Sequence, residues 1–306
     1  MKICFFGSSV FSVPSLVALK DRVVLVVTKK AKPKGRGYGL DDNEVKKCAK
    51  SLNLGVLEIS SFTEPDLETI RKIEPDLFVV VSFGLILPES VLKIPKIGAI
   101  NVHPSLLPKY RGPSPIQAAL LNGDKETGIT IIRMSKRMDA GNVLLQKSFE
   151  IREDDDSISL SERLSREAAD ILFGFVNEVE KKGLEEGIAQ DEKLATYTKM
   201  IKKEMARIDW NQDATQIVNA VRAYAGWPVS HTYLDGKLLK IHKARVYDLF
   251  TSEKPGKILF FNKNGIVCAC GSGSVLLTEV QQESRRRMSA HDFAIGAKDI
   301  VGKIFT

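Results

Sequence analysis

The 306-residue sequence contains no run of about 18 apolar residues, the length that a membrane-spanning helix requires. No membrane span and no membrane partner are therefore expected. Met1 and Lys2 lead directly into the apolar run Ile3 to Phe6, which leaves no room for a signal or transit peptide. Together these absences predict a cytoplasmic protein.

Cysteine is scarce, and the four cysteines form no C-x-x-C pair of the kind that zinc sites and redox motifs use. Cys268 and Cys270 lie in an alternating run, which predicts two small apolar side chains on one face of a strand. The sequence therefore predicts no metal site.

Glycine is missing where a dinucleotide-binding loop needs it. The first apolar run is followed by Gly7-Ser-Ser-Val-Phe-Ser12 and then by an apolar helix pattern, so Gly7 is the only glycine in the turn. The G-x-G-x-x-G fingerprint, which brings backbone against a pyrophosphate, is absent. This absence argues against a nicotinamide or flavin dinucleotide as a bound cofactor.

An excess of positive charge is absent from residues 1–195, which hold 28 Lys and Arg and 28 Asp and Glu. Residues 196–306 hold 17 and 10, so the whole net charge of +7 lies in this part of the chain. Concentrated positive charge favours a polyanionic partner, nucleic acid first. A soluble basic domain without such a partner is the alternative.

What is present is the composition of a folded globular protein, with 43% hydrophobic and 27% charged residues, and the length favours two domains. The opening strand, turn and helix, the Val-rich run Val23 to Thr28 and the apolar run Leu77 to Phe83 are typical of buried parallel strands. They predict an α/β fold with a Rossmann-like, doubly wound, mostly parallel sheet.

A long amphipathic helix closes this N-terminal domain. It is predicted to begin at the capping box Ser159-x-x-Glu162 and to stop near Gly183, because apolar residues recur between them at helical spacing. The N-terminal domain is therefore expected to span residues 1–183.

Residues 184–203 are mostly polar and lack periodicity, so they are predicted to be a linker. A helix and several short strands follow, separated by turns such as Asp235-Gly236 and Asn264-Gly265. This pattern predicts a small OB-like β-barrel over residues 204–306. The barrel would carry the positive charge.

The chain's main candidate site is the stretch Gly98 to Pro108. Asn101 and His103 point to the same face of a predicted strand, because strand side chains alternate, and Pro104 then ends the strand. Ligands bind at the carboxyl ends of strands in open α/β sheets. A strand-end histidine with a purely structural role is the alternative.

Asp139, in the polar turn Met138 to Asn142, adds a carboxylate to the carboxamide and the imidazole. No serine or cysteine nucleophile is clearly paired with His103, so a covalent acyl-enzyme is not expected. Direct attack by an external amine on a bound carbonyl needs an oxyanion donor and a proton relay, which this set supplies.

Two further segments are candidate ligand contacts. The basic stretch Lys29 to Gly39 is predicted to be a mobile loop, in which Arg36 is a candidate phosphate contact. A solvated surface loop is the alternative. The apolar turn Phe83 to Pro88 follows a buried strand and can wall a pocket for a flat ligand, with simple packing as the alternative.

Several motifs carry a resemblance to the folate-dependent formyltransferases. They are Asn101-Val-His103, Ser105-Leu-Leu-Pro108, Arg111-Gly-Pro-Ser-Pro-Ile-Gln117, Gly128-Ile-Thr130 and Met138-Asp-Ala-Gly141. Within that superfamily the chain is similar to the methionyl-tRNA formyltransferases along nearly its whole length. This narrower likeness rests on the Lys29 to Gly39 segment, on Arg207-Ile-Asp-Trp210 and on Arg287-Met-Ser-Ala-His-Asp-Phe293. The run Ala225-Gly-Trp-Pro228 departs from the expected Asn-Pro-Trp-Pro type, and Cys4 and Ser8 vary the usual opening.

The resemblance implies transfer of a formyl group from 10-formyltetrahydrofolate, a co-substrate, to the α-amino group of methionyl initiator tRNA for translation initiation. Asn101, His103 and Asp139 would be catalytic. The residues implied to bind the folate are Phe83, Gly84, Leu85, Leu87, Ser105, Leu106, Leu107, Pro108 and Asp139. Those implied to bind tRNA are Lys34, Arg36, Lys237, Lys240, Lys243, Arg285, Arg286 and Arg287. The protein is expected to be a monomer.

Two alternatives stay open at this point. The chain could be another formyltransferase of the superfamily, acting on an amino sugar or on a purine-pathway ribonucleotide; the purine enzyme would lack a second domain, and the sugar enzyme would not need a basic one. It could also be a nucleic-acid-binding module on an inactive α/β scaffold, against which the intact Asn101, His103 and Asp139 argue.

Overall fold

The computed structural model describes residues 1–30, 33–34, 39–40, 42–297 and 299–306. The chain divides into two compact units by its contacts. The first unit comprises Met1–Pro115, Glu126–Glu150 and Ser161–Lys199, and the second comprises Ile116–Lys125, Ile151–Leu160 and Met200–Thr306.

The contact units differ from the domain boundaries predicted from sequence. Most of the predicted linker, residues 184–199, belongs to the first unit, and two short segments from the N-terminal half belong to the second. As limits of independently folding domains, the boundaries 1–183, 184–203 and 204–306 stay a prediction.

The first unit is built on a seven-stranded sheet. The strands of residues 1–150 are β1 (Ile3–Gly7), β2 (Val23–Lys29), β3 (Pro33–Lys34), β4 (Gly39–Leu40), β5 (Val56–Ile59), β6 (Leu77–Val81), β7 (Gly98–His103), β8 (Glu126–Arg133) and β9 (Val143–Glu150). The sheet order is β5-β2-β1-β6-β7-β8-β9, and β3 pairs with β4 as a separate short antiparallel pair. The first five strands of this order, from β5 to β7, pair with their neighbours in parallel. The pairs β7–β8 and β8–β9 are antiparallel. The predicted doubly wound, mostly parallel sheet is confirmed.

Within the described residues, six α-helices lie between or after these strands along the chain. They are α1 (Val13–Ala18), α2 (Glu44–Ser51), α3 (Glu64–Lys72), α4 (Glu89–Leu92), α5 (Pro115–Leu121) and α6 (Ser157–Lys182). Every residue of β1 and β6 is buried, which explains why their sequences are apolar without alternation. Phe6 contacts Phe78 at 4.8 Å and Phe83 at 5.4 Å between ring centroids, so an aromatic cluster fills the core beside these strands.

The order of strands reverses between β1 and β6. From β1 the chain runs outward through β2 to β5, and from β6 it runs the other way through β7. In open α/β sheets, ligands bind outside the carboxyl ends of the strands at such a switch point. The carboxyl end of β7 lies one strand away from this switch point.

The predicted N-cap of α6, Ser159, is wrong by three residues. The helix begins at Ser157, because the Asp156 carboxylate accepts hydrogen bonds from the backbone N–H groups of Ile158 and Ser159, both at 2.9 Å. The Ser159 hydroxyl accepts in turn from the Asp156 N–H at 3.0 Å, so this pair forms the cap. The predicted stop is confirmed: Lys182 is the last helical residue, and Gly183 follows with φ +82°.

The second unit contains an antiparallel sheet. Its strands are β10 (His231–Leu234), β11 (Lys237–Tyr247), β12 (Ile258–Asn262), β13 (Gly265–Ala269), β14 (Ser274–Gln282) and β15 (Met288–Ser289), and its later helices are α7 (Ala214–Ala223) and α8 (Ala290–Ala297). The sheet order is β10-β11-β14-β13-β12, with β15 on β14. Cys268 and Cys270 are both buried in the core of this unit, as the alternating run predicted.

The C-terminal segment closes this sheet into the predicted barrel. On one side, Tyr233 of β10 and Thr306 exchange two backbone hydrogen bonds of 2.9 and 3.0 Å. On the other side, Ile258 of β12 donates to the Lys303 carbonyl at 2.8 Å, and Phe305 donates to the Gly256 carbonyl at 2.9 Å. The chain terminus therefore satisfies the free edges of the two outermost strands.

Within the described ranges, no helix has the length and apolar character needed to cross a membrane. In the same part of the chain, no group of three or more His, Cys, Asp or Glu side chains is arranged to hold a metal ion.

Candidate active site

Strand β7 places the carboxamide of Asn101 and the imidazole of His103 on the same face of the sheet. Its neighbours are β6, which runs parallel, and β8, which runs antiparallel. Ile100 and Val102 alternate with the two polar residues and are fully buried, so the register of the strand cannot slip without exposing them. The polar pair is thereby held at the carboxyl end of β7.

The imidazole of His103 is anchored by a backbone carbonyl. Its Nε2 lies 2.9 Å from the carbonyl oxygen of Tyr110, and because a carbonyl only accepts hydrogen bonds, Nε2 carries the proton. Nδ1 is therefore the nitrogen that can gain and lose a proton. It faces Oδ2 of Asp139 at 3.6 Å.

The carboxylate of Asp139 contacts both members of the polar pair. Its Oδ1 accepts from Nδ2 of Asn101 at 3.3 Å, while Oδ2 faces His103 and accepts from the backbone N–H of Gly112 at 2.9 Å. The structure therefore brings the three sequence-predicted catalytic residues together.

The turn that carries Asp139 has an uncommon backbone. Asp139 has φ +50°, a left-handed conformation that non-glycine residues rarely adopt. At Gly141, a Cβ atom would lie 1.7 Å from the carbonyl oxygen of Arg133, so only glycine fits. The direction of the Asp139 side chain depends on this turn.

The residues predicted to bind a folate fall into two groups. The side chains of Phe83, Leu87, Ser105 and Leu107 are buried, and the Ser105 hydroxyl donates to the Lys109 carbonyl at 2.7 Å. Gly84, Leu85, Leu106 and Pro108 are partly or fully exposed. The buried residues therefore present almost no surface to a ligand in this structure.

A cavity of about 370 Å³ lies beside the Asp139 turn. Residues 133–137 and 140–142 line it, and Arg133, Lys136 and Arg137 make its wall basic. Residues of the predicted Phe83 to Pro88 wall do not line this cavity. This cavity therefore does not extend to the Phe83 to Pro88 turn.

The basic residues predicted to bind tRNA are partly brought together. Pairing of β11 with β14 places Lys237 and Lys240 at the same end of the sheet as the Arg285–Arg287 run, and these arginines are exposed. Lys243 lies further along β11, opposite Glu279. Arg287 is ion-paired with Glu279, so its charge is partly neutralised. Arg36 and the side chain of Lys34 lie outside the described residues.

Sequence reasoning missed a second layer of the site. The carbonyl of Tyr110 was not predicted, and Tyr110 adopts φ +63°, with its N–H bonded to the Thr196 hydroxyl at 2.8 Å. Three further residues hydrogen-bond to the segments that carry Asp139 and Tyr110, namely Gln190, Thr196 and Thr198. All three lie in the segment that was predicted to be a linker. The signal available in sequence was the turn-rich Lys109 to Pro115 run, which indicated a rigid connection but not its partners.

Comparison with protein families matches both parts of the chain. A family described as "Formyl transferase" matches residues 1–176, and one described as "Formyl transferase, C-terminal domain" matches residues 200–298. The α/β fold that carries the Asn101, His103 and Asp139 cluster, followed by the barrel, is thus that of a formyl transferase.

Full-length relatives narrow this class. The chain is 42% identical over 302 residues to the methionyl-tRNA formyltransferase of Geobacter metallireducens, covering 97% of this chain and 96% of that relative. It is 41% identical over 307 residues to that of Methylococcus capsulatus, covering 99% of both. The chain belongs to the methionyl-tRNA formyltransferase family.

Solved structures show the same fold at lower sequence identity. A sugar 3N-formyl transferase crystallised with dTDP and 5-N-formyl-THF aligns with a TM-score of 0.68 at 20% identity, covering 94% of this chain and 99% of that one. HypX from Aquifex aeolicus in complex with tetrahydrofolic acid aligns with a TM-score of 0.63 at 19% identity, covering 99% of this chain and 48% of that one.

Proposed function

We propose that the chain transfers the formyl group of 10-formyltetrahydrofolate to the α-amino group of methionyl initiator tRNA, with Asn101, His103 and Asp139 as its catalytic residues. Membership in the methionyl-tRNA formyltransferase family supports the reaction. The single observation that supports the residue assignment is the Asp139 carboxylate, which faces both Asn101 and His103.

In the proposed reaction the amine nitrogen attacks the formyl carbon, and the carbonyl oxygen becomes an oxyanion. Asn101 carries two amide hydrogens, so a contact with Asp139 leaves a second one to donate. When His103 is doubly protonated, the proton on Nδ1, at 3.6 Å from Asp139, is not held in a hydrogen bond of normal length and can be donated to the oxyanion. Each such donor contributes about 3 kcal/mol to transition-state stabilisation in comparable oxyanion holes.

Asp139 is proposed to orient His103 and to accept, through water where needed, the proton that the α-ammonium group loses before its nitrogen attacks. The new bond joins the amine nitrogen to the formyl carbon, and the bond from that carbon to the folate nitrogen breaks. The amine nitrogen loses a second proton after attack, and this proton is transferred to the folate nitrogen, while the first proton passes to solvent. The N–H of Gly112 holds Oδ2 of Asp139 in place during these steps.

The donor is proposed to lie between the Phe83 to Pro88 turn and the Asp139 turn. Backbone groups of the first turn, among them those of the exposed Gly84, would read the flat ring of the folate. Two structures of the same fold were solved with folates bound, which supports a folate donor for this chain.

The tRNA is proposed to contact the end of the barrel where Lys237, Lys240, Arg285 and Arg286 gather, with Lys243, Arg287, Lys34 and Arg36 as further contacts. Positive charge gathered at one end of the barrel sheet supports contacts to the phosphate backbone that any tRNA could make. The chain is also proposed to act as a cytoplasmic monomer. Sedimentation at assay concentrations is expected to give a monomer, and a stable dimer would contradict this.

The decisive experiment measures transfer of labelled formyl from 10-formyltetrahydrofolate to charged initiator tRNA. Methionyl elongator tRNA, mischarged initiator tRNA and a nucleotide-linked amino sugar serve as competing acceptors. Formylation of methionyl initiator tRNA is expected to be fastest. Preferred formylation of the amino sugar, or tRNA binding without any transfer, would overturn the proposal.

The Asp139→Asn variant tests the residue assignment in the same assay. The amide keeps the shape of the side chain and cannot take up a proton, so single-turnover formylation is expected to fall by about 100-fold or more. Folate affinity is expected to change much less. A near-normal single-turnover rate would remove Asp139 from the catalytic set.

A further inference from the structure

A fully buried arginine lies directly behind the catalytic cluster. The side chain of Arg111 has 0% exposure, and all five of its N–H groups have acceptors. Nε and Nη2 donate to Oε1 of Gln190 at 3.0 and 2.8 Å, and Nη1 and Nη2 donate to the Glu192 carboxylate at 3.1 and 3.0 Å. Nη1 also donates to the Tyr197 hydroxyl at 3.0 Å. The guanidinium therefore has one well-defined orientation.

Arg111 dictates the orientation of the Gln190 amide. A guanidinium has only donors, so the amide oxygen must face it and the amide nitrogen must point away. That nitrogen donates to the carbonyl of Asp139 at 2.8 Å and to the carbonyl of Gly141 at 2.7 Å. Both hydrogens of the amide are thus used to hold the catalytic turn.

The two hydrogen bonds from Gln190 form a clamp on the Asp139 turn. The turn depends on this clamp because its backbone is left-handed at Asp139. A change in the position of the 139 and 141 carbonyls would rotate the Asp139 carboxylate. Its two oxygens would then lose the contacts with Asn101 and with the Gly112 N–H. The clamp therefore acts on the geometry of the carboxylate, not on its chemistry.

The backbone of Arg111 secures the opposite side of the same carboxylate. Its N–H donates to the Thr196 carbonyl at 2.9 Å, and its carbonyl accepts from the Thr198 N–H at 2.8 Å. The flanking residues supply the Tyr110 carbonyl that anchors His103 and the Gly112 N–H that anchors Asp139. One residue therefore connects both halves of the catalytic cluster.

We infer that Arg111 and Gln190 are a positioning pair for catalysis, which sets the direction of the Asp139 carboxylate through the carbonyls of the 139 and 141 peptides. The inference rests on the proposed catalytic role of Asp139. If the pair instead only attached residues 190–198 to the rest of the first unit, its loss would lower stability without a specific effect on kcat.

The Gln190→Glu variant separates these two roles. The carboxylate has the same shape and still accepts from Arg111, but it has no hydrogen to donate to the two carbonyls. We expect kcat for formyl transfer to fall by about 10-fold to 100-fold, as for other displacements of about 1 Å in an active site. KM for the folate and for the tRNA is expected to stay within about twofold, because neither substrate contacts Gln190 in the proposed site.

The Glu192→Gln variant is the matched control. It weakens the interaction with the same arginine but leaves both bonds from Gln190 to the turn intact. A lower thermal midpoint with kcat within about twofold of the parent is expected. A parent-like kcat in Gln190→Glu, or an equal loss of kcat in both variants, would overturn the proposal.

A double variant distinguishes this inference from the proposed function. If Gln190 acts through Asp139, Gln190→Glu should reduce kcat by less than about twofold in the Asp139→Asn background, a coupling that only interacting sites show. Equal effects in both backgrounds would overturn the inference. Full activity of Asp139→Asn alone would instead overturn the proposed function.

If Gln190→Glu does not fold, Gln190→Asn replaces it. That side chain keeps the amide but is one methylene too short to span Arg111 and both carbonyls, so the same loss of kcat at unchanged KM is expected. Failure of both variants to fold while Glu192→Gln folds would assign the pair a structural role and overturn the proposal.

Discussion

At the scale of single residues, a backbone carbonyl determines how His103 can react. Tyr110 accepts from Nε2 at 2.9 Å, which leaves Nδ1 to exchange protons on the side where Asp139 lies. Asn101 completes the cluster with a neutral donor that does not titrate. The three side chains therefore have separate proposed roles of donation, protonation and orientation.

The Asn101→Asp variant tests the donor role. The new carboxylate has nearly the same shape, but it cannot donate to an oxyanion and repels the charge that develops there. We expect kcat to fall by about 100-fold to 1,000-fold. Asn177→Asp on α6 is the control, because its oxygen keeps the bond that Asn177 accepts from Arg22 at 2.7 Å. Similar kcat in the two variants would contradict the assignment.

The ion pair between Arg111 and Glu192 predicts a pH dependence of stability. The hydrogen bond from Arg111 holds the pKa of the Glu192 carboxyl below its ordinary value of 4.5. A carboxyl whose folded-state pKa is lowered contributes stability that is fully present above the unfolded-state pKa and is lost as pH falls through the folded-state pKa. The free energy of unfolding from urea titrations is expected to fall less steeply below pH 4.5 in Glu192→Gln than in the parent. Identical slopes would show that this pair is not responsible.

At the scale of elements, the short Asp139 turn needs a glycine and the long helix α6 does not. A Cβ at Gly141 would overlap the Arg133 carbonyl, whereas a Cβ at Gly174 of α6 meets nothing within 4 Å. The two glycines therefore respond in opposite ways to the same substitution.

Gly141→Ala is expected to lower the free energy of unfolding by about 1–3 kcal/mol and to reduce kcat, because the turn must shift. Gly174→Ala is expected to raise the free energy of unfolding by about 0.5–1 kcal/mol and to leave kcat unchanged, because alanine reduces the entropy of the unfolded chain in a helix. Chemical denaturation and formyl-transfer assays measure both. A neutral Gly141→Ala would contradict the close approach.

The C-terminal segment is the element that completes the barrel. Phe305 is 2% exposed and stacks on Trp210 with ring centroids 5.3 Å apart, while the Trp210 indole N–H donates to the Thr232 hydroxyl at 3.0 Å. The backbone of residues 303–306 hydrogen-bonds to both edge strands, β10 and β12. The last four residues therefore act as a strand although no strand was predicted there.

Phe305→Ala is expected to lower the free energy of unfolding by about 3–5 kcal/mol, because it leaves a cavity against Trp210. Lys303→Ala is the control from the same segment. It removes an exposed ion pair with Asp235 and is expected to cost less than about 1 kcal/mol. Equal losses of stability in both variants would contradict a packing role for Phe305.

At the scale of the whole molecule, positive charge is concentrated in the last third of the chain, and β11 and β14 gather part of it at one end of the barrel sheet. A polyanion held by several phosphate contacts releases counterions, so its affinity falls steeply with salt. The affinity of the proposed surface for tRNA is therefore expected to depend on salt concentration, which titrations can measure.

Replacing Lys237, Arg285 and Arg286 together by Ser is expected to lower the slope of log affinity against log salt by about 2 to 3 for initiator tRNA. Replacing the exposed lysines Lys20, Lys72 and Lys181 of the first unit is the control and is expected to leave the slope unchanged. Fluorescence titrations between about 50 and 200 mM salt measure both slopes. An unchanged slope in the barrel variant would remove this surface from tRNA binding.

The sequence by itself determined the parallel sheet, the barrel strands and the shared face of Asn101 and His103. These features follow from local rules, since strand side chains alternate with period two and apolar runs mark buried strands. It also supplied Asp139 as a candidate, because a polar turn follows a strand there. Local patterns over a few residues were sufficient for each of these predictions.

Only the tertiary structure decided which groups complete the cluster. Gln190 lies 79 residues from Arg111 and 51 from Asp139, and the segment that holds it was predicted to be a linker. The Tyr110 carbonyl and the closure of the barrel by residues 303–306 depend on backbone hydrogen bonds to distant strands and loops, which side-chain patterns do not encode. The identities of Asn101, His103 and Asp139 are therefore readable from sequence, whereas their mutual orientation comes from contacts between segments far apart in the chain.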